Sequence, residues 1–175
     1  AIDVSTMSFD KVYDGETQAY FTISGTKIED IDSFSGIYIS ATYANAHVGQ
    51  TSVSLSLMNK DSGESIANYQ LSSQFTTANI TKLSARLTIS MDKQTYEYGE
   101  ISTNNLNSHI STTYQVEDLE GNDVSDLLVN GYFNITFTLP TEIMTNANGF
   151  VYKGEYQLQA SGSFDDFNMT IVTPS

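Results

Sequence analysis

Two imidazoles, His47 and His109, are the only histidines in the chain, and cysteine is absent. A catalytic base must meet a nucleophile and an orienting group within hydrogen-bond reach, and a structural zinc site needs clustered His or Cys ligands. Two histidines in opposite halves of the chain satisfy neither requirement, so no metal centre and no cofactor are expected. Ser24 and Lys27 in SGTK have the Ser-x-x-Lys spacing of some acyl-transfer enzymes, which would put both on one helix face. The preceding AYFTI alternates like a strand, and no Ser-Asp-Asn or Lys-Thr-Gly companion follows, so SGTK reads as a turn. It also lacks the glycine-rich approach of a phosphate loop. The expectation is a protein that is not an enzyme, with an esterase or peptidase as a distant alternative.

Carboxylates are the abundant reactive type. EDID, Glu29 to Asp32, and VEDLEGND, with Asp118, Glu120, Asn122 and Asp123, offer the oxygen ligands that calcium prefers, but neither has calcium-loop spacing. Both read as hydrated acidic surface, with weak calcium binding as the alternative. Asp165 and Asp166 mark a turn. Lys11, Lys82 and Lys93 fall near strand or domain ends, where an intramolecular Lys-to-Asn or Lys-to-Asp amide would need a desolvated amine beside its partner and a carboxyl group. Spacing does not supply that geometry. Seven basic against 21 acidic residues give a net charge of -14, which repels phosphate backbones and anionic lipid, so no nucleic-acid partner is expected. No apolar run approaches membrane-spanning length, and AIDVSTMSFD lacks the basic region and hydrophobic run of a signal peptide, so no direct membrane insertion is expected.

The elements that hold these residues follow from a period of two, which sends alternate side chains to opposite faces of a strand. IYISATY places Ile37, Ile39, Ala41 and Tyr43 on one face, and SVSLSLM buries Val53, Leu55 and Leu57 behind a row of serines. NYQLSSQF continues through Tyr69, Leu71 and Phe75, and LSARLTISM through Leu83, Ala85, Leu87, Ile89 and Met91. After a break at DKQTYEYGE, ISTTYQVEDL, VNGYFNITFTL, GEYQLQAS and DDFNMTIV supply further strands, with Pro140 withholding a donor at the end of one. NDVSDLL allows a single helical turn with Asp123 as its cap. Opposed apolar faces predict an all-β fold of two small β-sandwich, immunoglobulin-like domains, with β-grasp-like mixed-sheet domains as the alternative if the turn near Asp123 lengthens into a helix.

The restart near residue 92 carries an internal echo: KVYDGE and QTYEYGE place Tyr96 83 positions after Tyr13. Two domains of about 80 to 90 residues fit, at 1-91 and 92-175, joined by a short junction. Asp14 can bond the turn backbone, Gly15 and Gly99 can accept turn conformations, and Tyr13 and Tyr96 can cover core edges with their rings. Tyr38, Tyr43, Tyr114 and Tyr132 are candidate ligand contacts if they face solvent, since sugar recognition needs an aromatic face beside convergent polar groups.

FDKVYDGET, ATYANAHVG, ANYQL and ITKLSARLTI, in that order, resemble the landmarks of the YDG family of bacterial surface-protein repeats. The second half resembles the related MBG type through KQTYEYGE, NGFVYKGEYQLQASG and DDFNMTI, although Glu97 and Tyr98 intervene between Tyr96 and Gly99, and Phe167 stands where tyrosine is usual. The resemblance implies an extracellular module, secreted or attached to the cell surface, within a large adhesin-like protein. It implies a noncatalytic spacer or display repeat pair, whose partners are neighbouring domains of that protein and a host glycan or protein. A carbohydrate-binding adhesive module is the alternative.

Overall fold

A computed structural model describes residues 1-62, 66, 68-140 and 144-172. Ala67 of ANYQL lies outside them. The described chain is predominantly β-strand, and it divides into two compact units, Ala1–Leu83 and Ser84–Ser175. None of its helices is long and apolar enough to cross a membrane.

The first unit is built on a six-stranded sheet of β1 (Lys11–Val12), β2 (Gln18–Thr22), β3 (Lys27–Ile28), β4 (Ile37–Tyr43), β5 (Gly49–Asn59) and β6 (Phe75–Thr81), in the order β1-β6-β5-β4-β2-β3. All its pairings are antiparallel except β1 with β6, which run parallel. Register aligns the apolar parity across strands: Phe21 opposes Ile39, Ile39 opposes Leu57, and Ala41 lies between Ala19 and Leu55. A slip of one residue would turn that stripe outward and bury the serines of β5. The stripe is covered by the N-terminal segment, where Phe9 is buried and meets Phe21 edge-on with ring centroids 4.9 Å apart. Ile2 bridges Leu71 in parallel, tying that cover to the chain before β6. The cover is therefore one short ladder and coil rather than a full opposing sheet.

The second unit contains β7 (Leu83–Met91), β8 (Thr112–Asp118) and β11 (Phe167–Val172) in the order β11-β7-β8, and a hairpin-like pair of β9 (Phe133–Thr138) with β10 (Gln159–Phe164). β7 pairs antiparallel with β8, setting Leu87 opposite Val116, both fully buried. Phe133 opposes Phe164, and their rings stack 6.3 Å apart. A four-residue helix, α1 (Leu106–His109), buries Leu106, and a 3-10 turn spans Ser125–Leu127.

Several expectations are corrected. LSARLTISM is a strand with the expected parity, but it pairs with β8 and β11, so the two units divide at Leu83/Ser84 and not near residues 91-95. NYQLSSQF is not a strand: β6 begins at Phe75, and Phe75 is 72% exposed. In FTTANIT only one parity can face the core, and the other would bury Thr77 and Asn79 in place of Ala78 and Ile80. Burying unpaired polar groups costs more than burying one terminal ring would gain. Asp123 sits one residue before the 3-10 turn's cap position, Val124, and its carboxylate accepts from the Ser125 backbone NH at 3.0 Å.

Candidate functional site

The Tyr-Asp-Gly element occupies the end of β1. The Tyr13 backbone NH donates to the Thr81 carbonyl at 2.8 Å, which carries the β1–β6 ladder one residue past the strand and draws the ring inward. Tyr13 is only 2% exposed, and its ring stacks on His47 at 6.2 Å. Gly15 then turns the chain at φ 76°, a left-handed conformation that a side chain would strain. Asp14 holds the turn shut. Its carboxylate accepts from the Glu16 backbone NH at 3.0 Å and from the Lys11 ammonium, whose side chain is fully buried.

Lys11 is the residue that charge arithmetic alone would place in solvent. Its ammonium also donates to the Glu16 carbonyl at 2.5 Å and lies 4.8 Å from the centroid of the Tyr43 ring. An ammonium in the core is tolerated only when paired and hydrogen-bonded, and here a carboxylate, a carbonyl and an aromatic face share it. Tyr43 in turn donates its hydroxyl to the Phe9 carbonyl at 2.5 Å. Burial raises the Tyr43 phenol well above its ordinary value of 10.0, and the nearby charges of Asp14 and Asp10 add to the rise. This arrangement binds the N-terminal cover, β1 and β4 together.

The second echo is built differently. Gly99 also has a positive φ, 92°, but Tyr96 is half-buried and its ring lies 6.2 Å from His109. The Tyr96 hydroxyl is buried without a hydrogen-bond partner among the described residues, and an unsatisfied buried hydroxyl costs about 1–3 kcal/mol relative to a satisfied one. Lys93 sits 4.7 Å over that ring and pairs with Glu100 at 2.8 Å. The pairing raises the Lys93 ammonium and lowers the Glu100 carboxyl, the hydrogen bond between them being the main cause of each shift.

Tyr96 forms part of the wall of a cavity of about 1130 Å³ within the second unit. Ile101, Leu106 and Leu139 give it an apolar floor, while Tyr98, Tyr152 and Tyr156 stand around it at 64%, 47% and 38% exposure. Asparagines position the wall. Asn146 accepts from the backbone NH groups of Asn148 and Phe150 and donates to the Tyr98 hydroxyl at 2.9 Å. The Tyr156 hydroxyl donates to the Tyr152 carbonyl at 2.8 Å. Asn107 exchanges both of its amide bonds with the backbone of Phe137, at 2.6 and 3.1 Å, which docks α1 on β9 beneath the floor. None of these three tyrosines was singled out by spacing. The usable signal was the density of tyrosine and asparagine in residues 96-107 and 146-152, two stretches without strand periodicity.

The tyrosines that spacing did single out do not assemble. Tyr38 and Tyr43 are buried in the first unit, Tyr38 edge-on against Tyr20 and Phe34 at 5.6 and 6.2 Å, so neither offers an open face. In the second unit Tyr114 is half-buried against Phe133, and Tyr132 is 37% exposed. The catalytic alternatives meet no better geometry. Ser24 lies in the β2–β3 turn sharing a 2.8 Å hydrogen bond with Thr22, while Lys27 pairs with Glu29 at 2.9 Å.

The acidic clusters are occupied by their own turns. Asp30 accepts from the Asp32 backbone NH and the Ser33 hydroxyl, and Asp118 accepts from the backbone NH groups of Glu120 and Asn122 as well as from the Asn122 side chain. Side-chain hydrogen bonds, from Ser33 and Asn122 respectively, are the main cause holding these two carboxyls below their ordinary value. Among the described residues no three His, Cys, Asp or Glu side chains converge as metal ligands. No protein-family model, no curated protein and no solved structure matches this chain.

Proposed function

We propose that the chain is a noncatalytic spacer or display repeat pair of a bacterial surface protein, exposed outside the cell and flanked by other domains of its parent. The observation that carries this reading is the fate of the Tyr-Asp-Gly element. Its buried ring, its carboxylate and its glycine all serve to close the first unit around the buried Lys11. A motif used in this way serves integrity, and integrity under load is what a spacer requires. In fold terms we read the first unit as a reduced immunoglobulin-like sandwich whose second layer is the N-terminal cover with the Ile2–Leu71 bridge. The β-grasp alternative lacks support, because the turn after Asp123 has three residues and α1 has four.

Single-molecule pulling tests the mechanical reading. Each unit should rupture separately, and at about 3.3–3.6 Å per residue the released lengths should differ between the two units by only about 30 Å. One joint rupture, or extension with no resistance, would reject it. Reproducible turnover of ester or peptide substrates that depends on His47 or His109 would replace it with an enzymatic role.

A further inference from the structure

We infer that the second unit binds a neutral saccharide in the cleft walled by Tyr98, Tyr152 and Tyr156. This goes beyond spacing and does not rest on it, since a spacer needs no ligand. A pyranose presents an apolar CH face and a rim of hydroxyls, so its receptor must combine an open aromatic face with donors and acceptors at the edge. The cleft has both. Tyr98 and Tyr152 are each about half or more exposed, and although Tyr69 of the first unit is exposed as well, these two open rings line one and the same cavity. Gln94, Glu97, Glu155 and Gln157 line the same space and supply hydroxyl partners of both kinds.

The rings are also held in advance. Tyr98 is fixed through its hydroxyl by Asn146, and Tyr156 by the Tyr152 carbonyl, so less side-chain freedom is lost on binding than free surface tyrosines would lose. The Tyr96 hydroxyl in the wall, buried and without a partner among the described residues, is a second pointer. A ligand hydroxyl or a bridging water reaching it would give the bound state a bond that the empty one lacks.

Charge selects among sugars. Glu97 and Glu155 face the cavity with Lys153, and the chain as a whole carries -14, so sialylated or sulfated glycans are disfavoured against uncharged ones. A cavity of about 1130 Å³ exceeds a single ring and accommodates a short oligosaccharide. A purely apolar ligand would leave both carboxylates facing it without hydroxyl donors.

The test is an amide NMR titration of the whole chain with lactose, cellotetraose, maltotetraose and chitotetraose, and with sialyllactose as the anionic probe. At least one neutral sugar should shift the amides of residues 96-101 and 151-158 with a Kd of about 0.1–1 mM. Tyr98→Ala and Tyr152→Ala should each weaken binding about five- to tenfold at an unchanged unfolding midpoint, while Tyr98→Phe, which keeps the ring and loses only its tether to Asn146, should weaken it less. Should either alanine variant lower the midpoint, the other carries the test. Sialyllactose should bind more weakly than lactose. The inference is overturned if no sugar shifts the cleft at about 10 mM, if the alanine variants bind as the parent does, or if sialyllactose binds more tightly. Cleft shifts produced only by the hydrophobic dye anilinonaphthalene sulfonate would assign the cavity to apolar ligands and equally overturn it. Failure here leaves the two pulling events untouched, so the spacer reading fails or stands separately.

Discussion

The two units start from matching turn elements and put their tyrosines to opposite use. In the first, Tyr13 and Tyr43 are buried, and the only buried lysine side chain among the described ion pairs is clasped between Asp14, a carbonyl and a ring. In the second, Tyr96 is half-buried with an orphan hydroxyl, its lysine stays on the surface, and three more tyrosines stand around a cavity. The difference originates in the backbone on the C-terminal side of each turn. After Gly15 the chain enters β2 within three residues and closes on a sheet. After Gly99 it runs through α1 before reaching β8, and the later segment 144-158 returns as coil held by asparagine side chains. A close-packed sheet leaves no room for an open ring, whereas an asparagine-braced coil can enclose space. The echo in sequence therefore marks where a unit begins, and the succeeding backbone decides whether the aromatic is spent on packing or on a surface.

The largest expected effect breaks or sharpens that contrast directly. Tyr13→Ala should cost about 2–4 kcal/mol, because a fully buried ring leaves a cavity under β1, while Tyr96→Ala should cost about 1–2 kcal/mol, because its ring is partly wet already. Denaturant unfolding followed by NMR signals from each unit separates the two losses, and equal costs would erase the distinction between the units.

Asp14→Ala comes next, at about 2–3 kcal/mol: it leaves the buried Lys11 ammonium without its carboxylate, and this exceeds the roughly 0.5–1.5 kcal/mol of a turn hydrogen bond alone. The figure is set below that of a wholly buried pair since Asp14 is 36% exposed. Adding Lys11→Met to Asp14→Ala should recover much of the loss, and a double variant as unstable as the single one would mean that the pair is not the cause.

Removing single hydroxyls should give opposite signs. Tyr43→Phe loses the bond to the Phe9 carbonyl and should destabilise by about 0.5–1.5 kcal/mol, whereas Tyr96→Phe removes a buried group with no partner and should be neutral or stabilising by up to about 1 kcal/mol. Thermal melts of the two variants read both. A clear loss in Tyr96→Phe would mean that this hydroxyl has a partner in solution.

The smallest effect is on acid stability, where the units should behave alike. Asp3 and Asp30 in the first and Asp118 and Asp123 in the second all have carboxyls held below the ordinary 3.8, mainly by a hydrogen bond from a turn NH or side chain. A depressed folded value means that the stabilisation is complete above pH 3.8 and is lost as pH falls through the lower folded value. Melting temperatures recorded downward from pH 5 should fall for both units below about pH 4, and Asp118→Asn should flatten part of the fall in the second. A unit insensitive to acid over that range would show its turn carboxylates to be uncoupled from folding.

Much of this molecule was determined by local sequence. Alternation in SVSLSLM and LSARLTISM specified strands whose buried residues all share the inward parity, because a period of two leaves one face for the core, whereas in IYISATY Tyr38 and Ser40 on the opposite parity are buried as well. Asp14 with Gly15, and Asp118 with Gly121, specified turns through bonds that reach only two to four residues along the chain. Tertiary structure decided the rest. Alternation does not name a partner strand, so β7, expected to close the first unit, pairs instead with β8 and β11 in the second. Nor does it choose between two parities when both carry apolar residues, as at β6, where Ala78 and Ile80 displaced Phe75 from the core. The burial of Lys11 depended on Tyr43, 32 positions away in sequence and on another strand, and the tyrosine cleft on asparagine bonds such as that from Asn146 to Tyr98 across 48 positions. Contacts of that range arise only once the sheets have brought distant segments together, which is why the motif's turn could be read from its own residues and the cleft could not.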